Sequence, residues 1–92
     1  MKHNPVRNNA PLHRFEMDTP GGLAIADYRI TGNLMTIFYT EVPVPLRGLR
    51  YGYHLVCGAL QEVRRLHLKV EPECGFVREV INNMPEFKDL LV

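Results

Sequence analysis

The sequence predicts a single α/β (α+β) domain in which antiparallel strands lead into a βαβ unit. Three observations carry that expectation. Apolar residues alternate with period 2 between Arg14 and Val42, the period switches to 3.6 between Tyr51 and Leu66, and a short apolar run from Leu66 to Val70 returns the chain to extended structure. At 92 residues the chain has room for one hydrophobic core.

The elements follow in order. Residues 1–12 read as a flexible polar lead-in, punctuated by Asn4-Pro5, Asn8-Asn9 and Pro11 and holding a short strand edge at most. The domain itself is expected over residues 13–92. Arg14 to Met17 is a first strand with Phe15 and Met17 on one face, and Asp18-Thr19-Pro20-Gly21-Gly22 is a turn whose glycines tolerate positive φ. Leu23 to Ile30 is a second strand with Ala24, Ala26, Tyr28 and Ile30 on one side, and Thr31-Gly32-Asn33 closes a hairpin. Leu34 to Val42 is apolar on both faces, with Met35, Ile37 and Tyr39 on one and Leu34, Phe38 and Val42 on the other. It reads as the central strand of a sheet covered on both sides.

One long helix is expected at about residues 49–65, where Tyr51, Leu55, Val56, Ala59, Leu60, Val63 and Leu66 form a stripe opposite Gln61, Glu62, Arg64 and Arg65. A strand over Leu66 to Val70 must then run parallel to the strand before the helix if the two share a sheet. Phe76 to Asn83 is a shorter helix, and Pro85 opens a last turn carrying Phe87, Leu90 and Leu91.

Composition excludes several classes. Eleven Lys+Arg against ten Asp+Glu leave a net charge of +1, which gives no electrostatic footprint for nucleic acid or an anionic membrane. The chain contains no serine, so no serine-based triad can form. No apolar stretch approaches the roughly 18 residues of a membrane span. No signal-type apolar segment lies near the amino terminus, so a cytoplasmic location with Cys57 and Cys74 as reduced thiols is expected. His3, His13, His54 and His67 lack zinc-ligand spacing, and no metal site is expected.

The chemistry concentrates between Thr40 and Gly52. Pro43 and Pro45 lack an N–H and must end the strand's pairing, which leaves backbone groups of Glu41, Val42 and Val44 for another partner. Arg47-Gly48-Leu49-Arg50-Tyr51-Gly52 then opens the long helix. The first amides of a helix bind anions, and two arginines in the same turn add charge-assisted hydrogen bonds, so this is a physically sound pyrophosphate site. An Arg-Gly pair at a helix start is also common without any ligand. The segment carries neither a Walker lysine nor the G-x-G-x-x-G spacing.

Cys74 falls just before the short helix, where the dipole favours a thiolate, while Glu71 and Glu73 oppose ionisation. It is either a small buried hydrophobe or a nucleophile; Cys57, between apolar helix turns, reads as core. Glu41 ends the central strand. Half-buried it would suit a general base, and exposed it would be an ordinary strand end.

These segments, in this order, resemble a known family. Thr40-Glu41-Val42-Pro43 followed by Leu46-Arg47-Gly48-Leu49-Arg50-Tyr51-Gly52 resembles the acetyl-coenzyme A motif of the GNAT superfamily of N-acetyltransferases. The chain is most similar to the short single-domain GNAT-like family, whose members read H-T-E-V-P, then R-G-x-G-x-G, then P-x-C-P-F-V. Pro72-Glu73-Cys74-Gly75-Phe76-Val77 matches the last of these, and Met84-Pro85-Glu86-Phe87 resembles a closing H-P-E-Y. The likeness spans about Arg14 to Leu91, and it departs at Tyr39, Arg50, Val80 and Met84, where the family usually has histidine, glycine, tyrosine and histidine.

The resemblance implies a compact GNAT-like fold with a splayed central strand pair and acetyl-coenzyme A as co-substrate. The pantetheine would lie along Val42 to Val44, and the pyrophosphate on Gly48, Leu49, Arg50, Tyr51 and Gly52, with Arg47 beside it. It also implies transfer to an amine acceptor of unknown identity, small molecule or protein, on an open acceptor side. Glu41 would be the base, directly or through a water, and Cys74 a proton donor or transient acyl carrier. The replaced titratable residues keep a second class open, a non-catalytic acyl-coenzyme A binding or protein-interaction module. A generic phosphate or nucleotide binder is the third.

Overall fold

The computed structural model describes residues 4–92. Its strands are β1 (Val6–Asn9), β2 (Arg14–Thr19), β3 (Gly22–Thr31), β4 (Leu34–Glu41) and β5 (Lys69–Pro72), and its α-helices are α1 (Tyr51–Arg65) and α2 (Gly75–Asn83). Short 3-10 turns occupy Ala10–Leu12, Val44–Leu46 and Pro85–Leu90. The strands form one sheet in sequence order, antiparallel from β1 to β4 and parallel between β4 and β5. The expected antiparallel strands, the two hairpins and the βαβ crossover are all present.

The lead-in is more structured than its composition suggests. β1 has a single apolar residue, Val6, so no period is visible in the sequence. The strand is held by its pairing with β2 and by α1, where Gly58 leaves the space that Val6 fills. A Cβ at Gly58 would stand 2.5 Å from Val6 Cγ2. The first three residues of the lead-in lie outside the described residues.

The helices cover one face of the sheet. Phe15, Met17, Ala24, Ala26, Met35, Ile37 and Val70 meet Leu55, Val56, Ala59, Leu60 and Val63 of α1 in a continuous core, which Val77, Val80 and Ile81 of α2 and Phe87 and Leu90 extend. The expectation of a sheet covered on both sides is therefore corrected. On the far face Arg7, Arg14 and Asn9 cover the buried Glu16, and Arg29 lies over Phe38 with 5.5 Å from guanidinium to ring centre.

β4 departs from strict alternation. Asp27 pairs with Tyr39 and Tyr28 pairs with Ile37, which leaves Phe38 as an extra residue in a β-bulge. The bulge turns Phe38 and Tyr39 both to solvent. Tyr39 therefore does not share the face of Met35 and Ile37, and Val42 returns to the helix side, where its Cγ2 faces Gly52. Nothing in the apolar run of β4 marks the shift.

α1 starts two residues later than expected and ends in a Schellman motif. The His67 amide donates to Arg64 (3.1 Å) and the Leu68 amide to Val63 (3.0 Å), with His67 left-handed at φ 58°. That turn consumes Leu66 and His67, so β5 begins at Lys69 rather than Leu66, and Leu66 is exposed. A histidine in the position usually held by glycine hides the helix exit from a reading of the sequence.

Candidate functional site

The parting of β4 from β5 makes the site. Leu34 to Ile37 pair with Lys69 to Pro72, and the Cys74 amide still reaches the Ile37 carbonyl at 3.1 Å. Beyond that bond the bulge bends β4 away and α2 carries the chain in another direction, so the pair splays. Beside the splay lies a cleft of about 430 Å³. One wall is the end of β4 (Thr40, Glu41, Val42), another is the turn into α1 (Leu46, Arg47, Gly48, Arg50, Gly52, Tyr53), and Phe76 at the start of α2 closes the third.

Six residues singled out in the sequence line this cleft together: Glu41, Val42, Arg47, Gly48, Arg50 and Gly52. Three do not. Val44 is 69% exposed in the 3-10 turn, where its carbonyl takes the Arg47 amide at 3.2 Å. Leu49 is exposed, and its amide is bonded to the Leu46 carbonyl. Tyr51 sends its ring into the core. Cys74 stands at the edge, its Sγ 3.5 Å from Oγ1 of the cleft residue Thr40.

The α1 end of the cleft suits an anion. The first α-helical bond runs from the His54 amide to the Arg50 carbonyl at 3.1 Å, so the amides of Gly52 and Tyr53 precede it, and the side chain of the N-cap residue Arg50 does not cap them. Arg50 forms the N-cap at φ 68°, a left-handed conformation that costs a non-glycine residue about 1 kcal/mol. This accounts for glycine at that position in the resembling motif. The Arg50 guanidinium stacks on the Tyr53 ring at 4.9 Å. Gly52 is needed for space rather than for conformation, because a Cβ there would stand 2.9 Å from the Phe76 ring. The missing side chain lets the Phe76 ring pack directly on the start of α1, which sets the width of the cleft.

At the other end of the cleft, hydrogen-bond donors surround the Cys74 sulfur. Burial raises the thiol pKa, but the Thr40 hydroxyl and the backbone N–H groups of Val77, Phe76 and Thr40 outweigh it and hold Cys74 below the usual thiol value. The neighbouring glutamates are otherwise engaged. Glu73 pairs with Arg29 at 3.0 Å, and Glu71 accepts from the Thr36 hydroxyl at 3.2 Å. Cys57 is the opposite case: burial pushes its thiol up, and it donates to Met84 Sδ at 3.1 Å.

Glu41 is exposed at the cleft rim, so the half-burial that would suit a general base is not met. Val80 is fully buried in the core. Thr40, Leu46, Tyr53 and Phe76 were not singled out from the sequence. Phe76 carried a signal all the same, since it stands two residues after the motif cysteine, in the first turn of α2.

Among the described residues no cluster of His, Cys, Asp or Glu is arranged to hold a metal, and no helix is long and apolar enough to cross a membrane. No curated protein matches the chain. A solution NMR structure of a GCN5-like protein from Staphylococcus aureus superposes with a TM-score of 0.69 over 100% of this chain and 91% of that one, at 18% identity. The fold is thus shared well beyond sequence likeness. A family model described as GCN5-related N-acetyl-transferase matches residues 14–90, which takes in the sheet from β2 onward, the cleft and both helices. The chain belongs to the GCN5-related N-acetyltransferase family.

Proposed function

We propose that the protein is an acetyl-coenzyme A-dependent N-acetyltransferase acting on an amine, with the splayed β4–β5 cleft as its cofactor site. The observation that carries this reading is the continuity of the cleft. It runs from a helix start with two arginines, where the N-cap side chain makes no capping bond, to a wall residue, Thr40, that touches a cysteine whose thiol is held below its usual pKa. A ligand with an anionic end, an extended amide-containing arm and a thioester matches that sequence of environments.

The residues present fit the group. The cleft walled by Thr40, Val42 and Phe76 has room for the arm, the amides following Arg50 lie at its anionic end, and Arg47 supplies a charge beside them. When bound, acetyl-coenzyme A supplies an acyl carbon activated by its thioester. Thr40 holds the Cys74 sulfur in place by the 3.5 Å contact, and the α2 amides stabilise its negative charge. A thiol held below its usual pKa suits a nucleophile that carries the acyl group better than a proton donor. Glu41 at the rim, directly or through water, takes the proton that the attacking amine releases. The far face of the sheet, free of helices, is the approach for the acceptor. A cytoplasmic location, where thiols stay reduced, belongs to the same reading.

Intact mass after incubation with acetyl-coenzyme A, together with thiol release over an amine panel, tests it. An acetyl adduct lost in Cys74→Ala, with amine-dependent thiol release, supports the carrier role. Amine-dependent release that survives Cys74→Ala assigns direct transfer instead. The exposure of Glu41 favours one other reading, a non-catalytic acyl-coenzyme A binding module; saturable binding without release of thiol on any amine would establish it.

A further inference from the structure

Arg47 does more than place a charge beside the cleft. Its Nε donates to the Val42 carbonyl at 3.2 Å, and both residues line the cavity. Val42 is the first residue past the end of β4, and Pro43, which follows, has no N–H to offer. The Pro43 and Val44 carbonyls are taken by the amides of Leu46 and Arg47 within the 3-10 turn. The Val42 carbonyl is therefore where an extended ligand would continue the ladder of the splayed strand, and Arg47 occupies it. Among the described residues no carboxylate pairs with Arg47, so its charge is not committed elsewhere.

We infer that Arg47 is a latch that couples the two ends of the cofactor site, a proposal that rests on the coenzyme A reading of the cleft. In the free protein the guanidinium takes one of the two lone pairs of the Val42 carbonyl and stands in the way of a ligand N–H approaching it through the cleft. A diphosphate at the start of α1 is a stronger partner than a neutral carbonyl, because both members of that pair are charged, and it draws the guanidinium away. The released carbonyl then accepts an N–H from the ligand's amide arm. The latch makes the arm's binding conditional on the anionic end, so the site discriminates against pantetheine-like molecules that lack a diphosphate. Arg47 acts here as a positioning residue that sets ligand specificity.

The test compares wild type with Arg47→Ala by calorimetric titration of coenzyme A and of pantetheine. Removing the side chain should weaken coenzyme A about tenfold, through the lost charge, and tighten pantetheine several-fold, through the freed carbonyl. Pantetheine binding that is unchanged or weaker in Arg47→Ala overturns the latch while leaving the cofactor reading intact. Failure of wild type to bind coenzyme A overturns both. A second measurement needs no variant. Adding 3′-phospho-ADP alone to carbon-13-labelled wild type should shift the Val42 carbonyl resonance as Arg47 leaves it, and an unmoved resonance at saturation contradicts the proposal.

Discussion

The Cys74 amide donates to the Ile37 carbonyl at 3.1 Å, one residue before the bulge at Phe38. This bond is the last rung between β4 and the chain leaving β5. On one side of it the strands are paired, and on the other they diverge around the cleft. The same bond fixes where the thiol sits, because it anchors the residue that caps α2. Sheet geometry and candidate chemistry are thus set by one backbone contact.

The two cysteines should differ in reactivity with the same reagent. Cys74 is held below the usual thiol value and Cys57 above it. Iodoacetamide at neutral pH is expected to label Cys74 at least several-fold faster than Cys57, with the Cys74 rate–pH profile half-maximal below the ordinary thiol value of about 8.5. Thr40→Val removes the hydroxyl at 3.5 Å and should move that profile upward. Equal labelling of both cysteines, read by peptide mass, would contradict the assignment.

Gly52→Ala tests the floor of the cleft. The added methyl would stand 2.9 Å from the Phe76 ring, so the ring must turn into the cavity. Coenzyme A affinity should fall about tenfold or more, although alanine is favoured over glycine inside a helix by about 1 kcal/mol. Combining it with Phe76→Ala relieves the clash and should recover part of the loss. Unchanged affinity in the single variant would show that the position of the Phe76 ring does not shape the ligand's path.

A second close approach governs stability rather than binding. Gly58→Ala would place Cβ 2.5 Å from Val6 Cγ2, and the cost of overpacking, about 1–3 kcal/mol, exceeds the gain in helix propensity. The variant should melt several degrees lower, on the order of 5 °C. Gly58→Ala combined with Val6→Ala should melt higher than Gly58→Ala alone. If Gly58→Ala is instead neutral or stabilising in calorimetry, β1 does not pack on α1 as described.

Glu16 sets a pH dependence at the acid end. Arg14, 2.6 Å away, and then Asn9 hold its carboxyl below the usual glutamate range against the opposing effect of burial. With the folded value below the unfolded one, its contribution is complete above the unfolded value of about 4.3 and is lost as pH falls through the folded value. Urea midpoints should therefore drop between about pH 5 and pH 2 in wild type and drop less in Glu16→Gln. Parallel curves for the two proteins would contradict the assignment.

Most of the fold was legible because each element carried a local signal. The Gly32-Asn33 hairpin, the α1 stripe, the parallel β5 and the closing turn opened by Pro85 all follow from period and turn residues. The parts that were not legible depend on contacts remote in sequence. β1 depends on the space left by Gly58, and the bulge at Phe38 depends on pairing with β3. His67 adopts a left-handed conformation that its residue type does not announce. At the site, the segment from Glu41 to Gly52 was marked by its prolines, glycines and arginines. Which of its side chains face inward was not, and Phe76 reaches the cleft only because α2 lies against α1.

Backbone NMR of labelled protein during titration with acetyl-coenzyme A decides whether the β4–β5 cleft is the cofactor site. Saturable shifts should concentrate at residues 40–53 and 74–77, with added stability of about 2.7 kcal/mol at a ligand concentration near 100 times the dissociation constant. Shifts centred instead on the groove lined by Pro5, His54, Gln61 and Glu62, or no saturable shifts at millimolar ligand, would contradict this assignment.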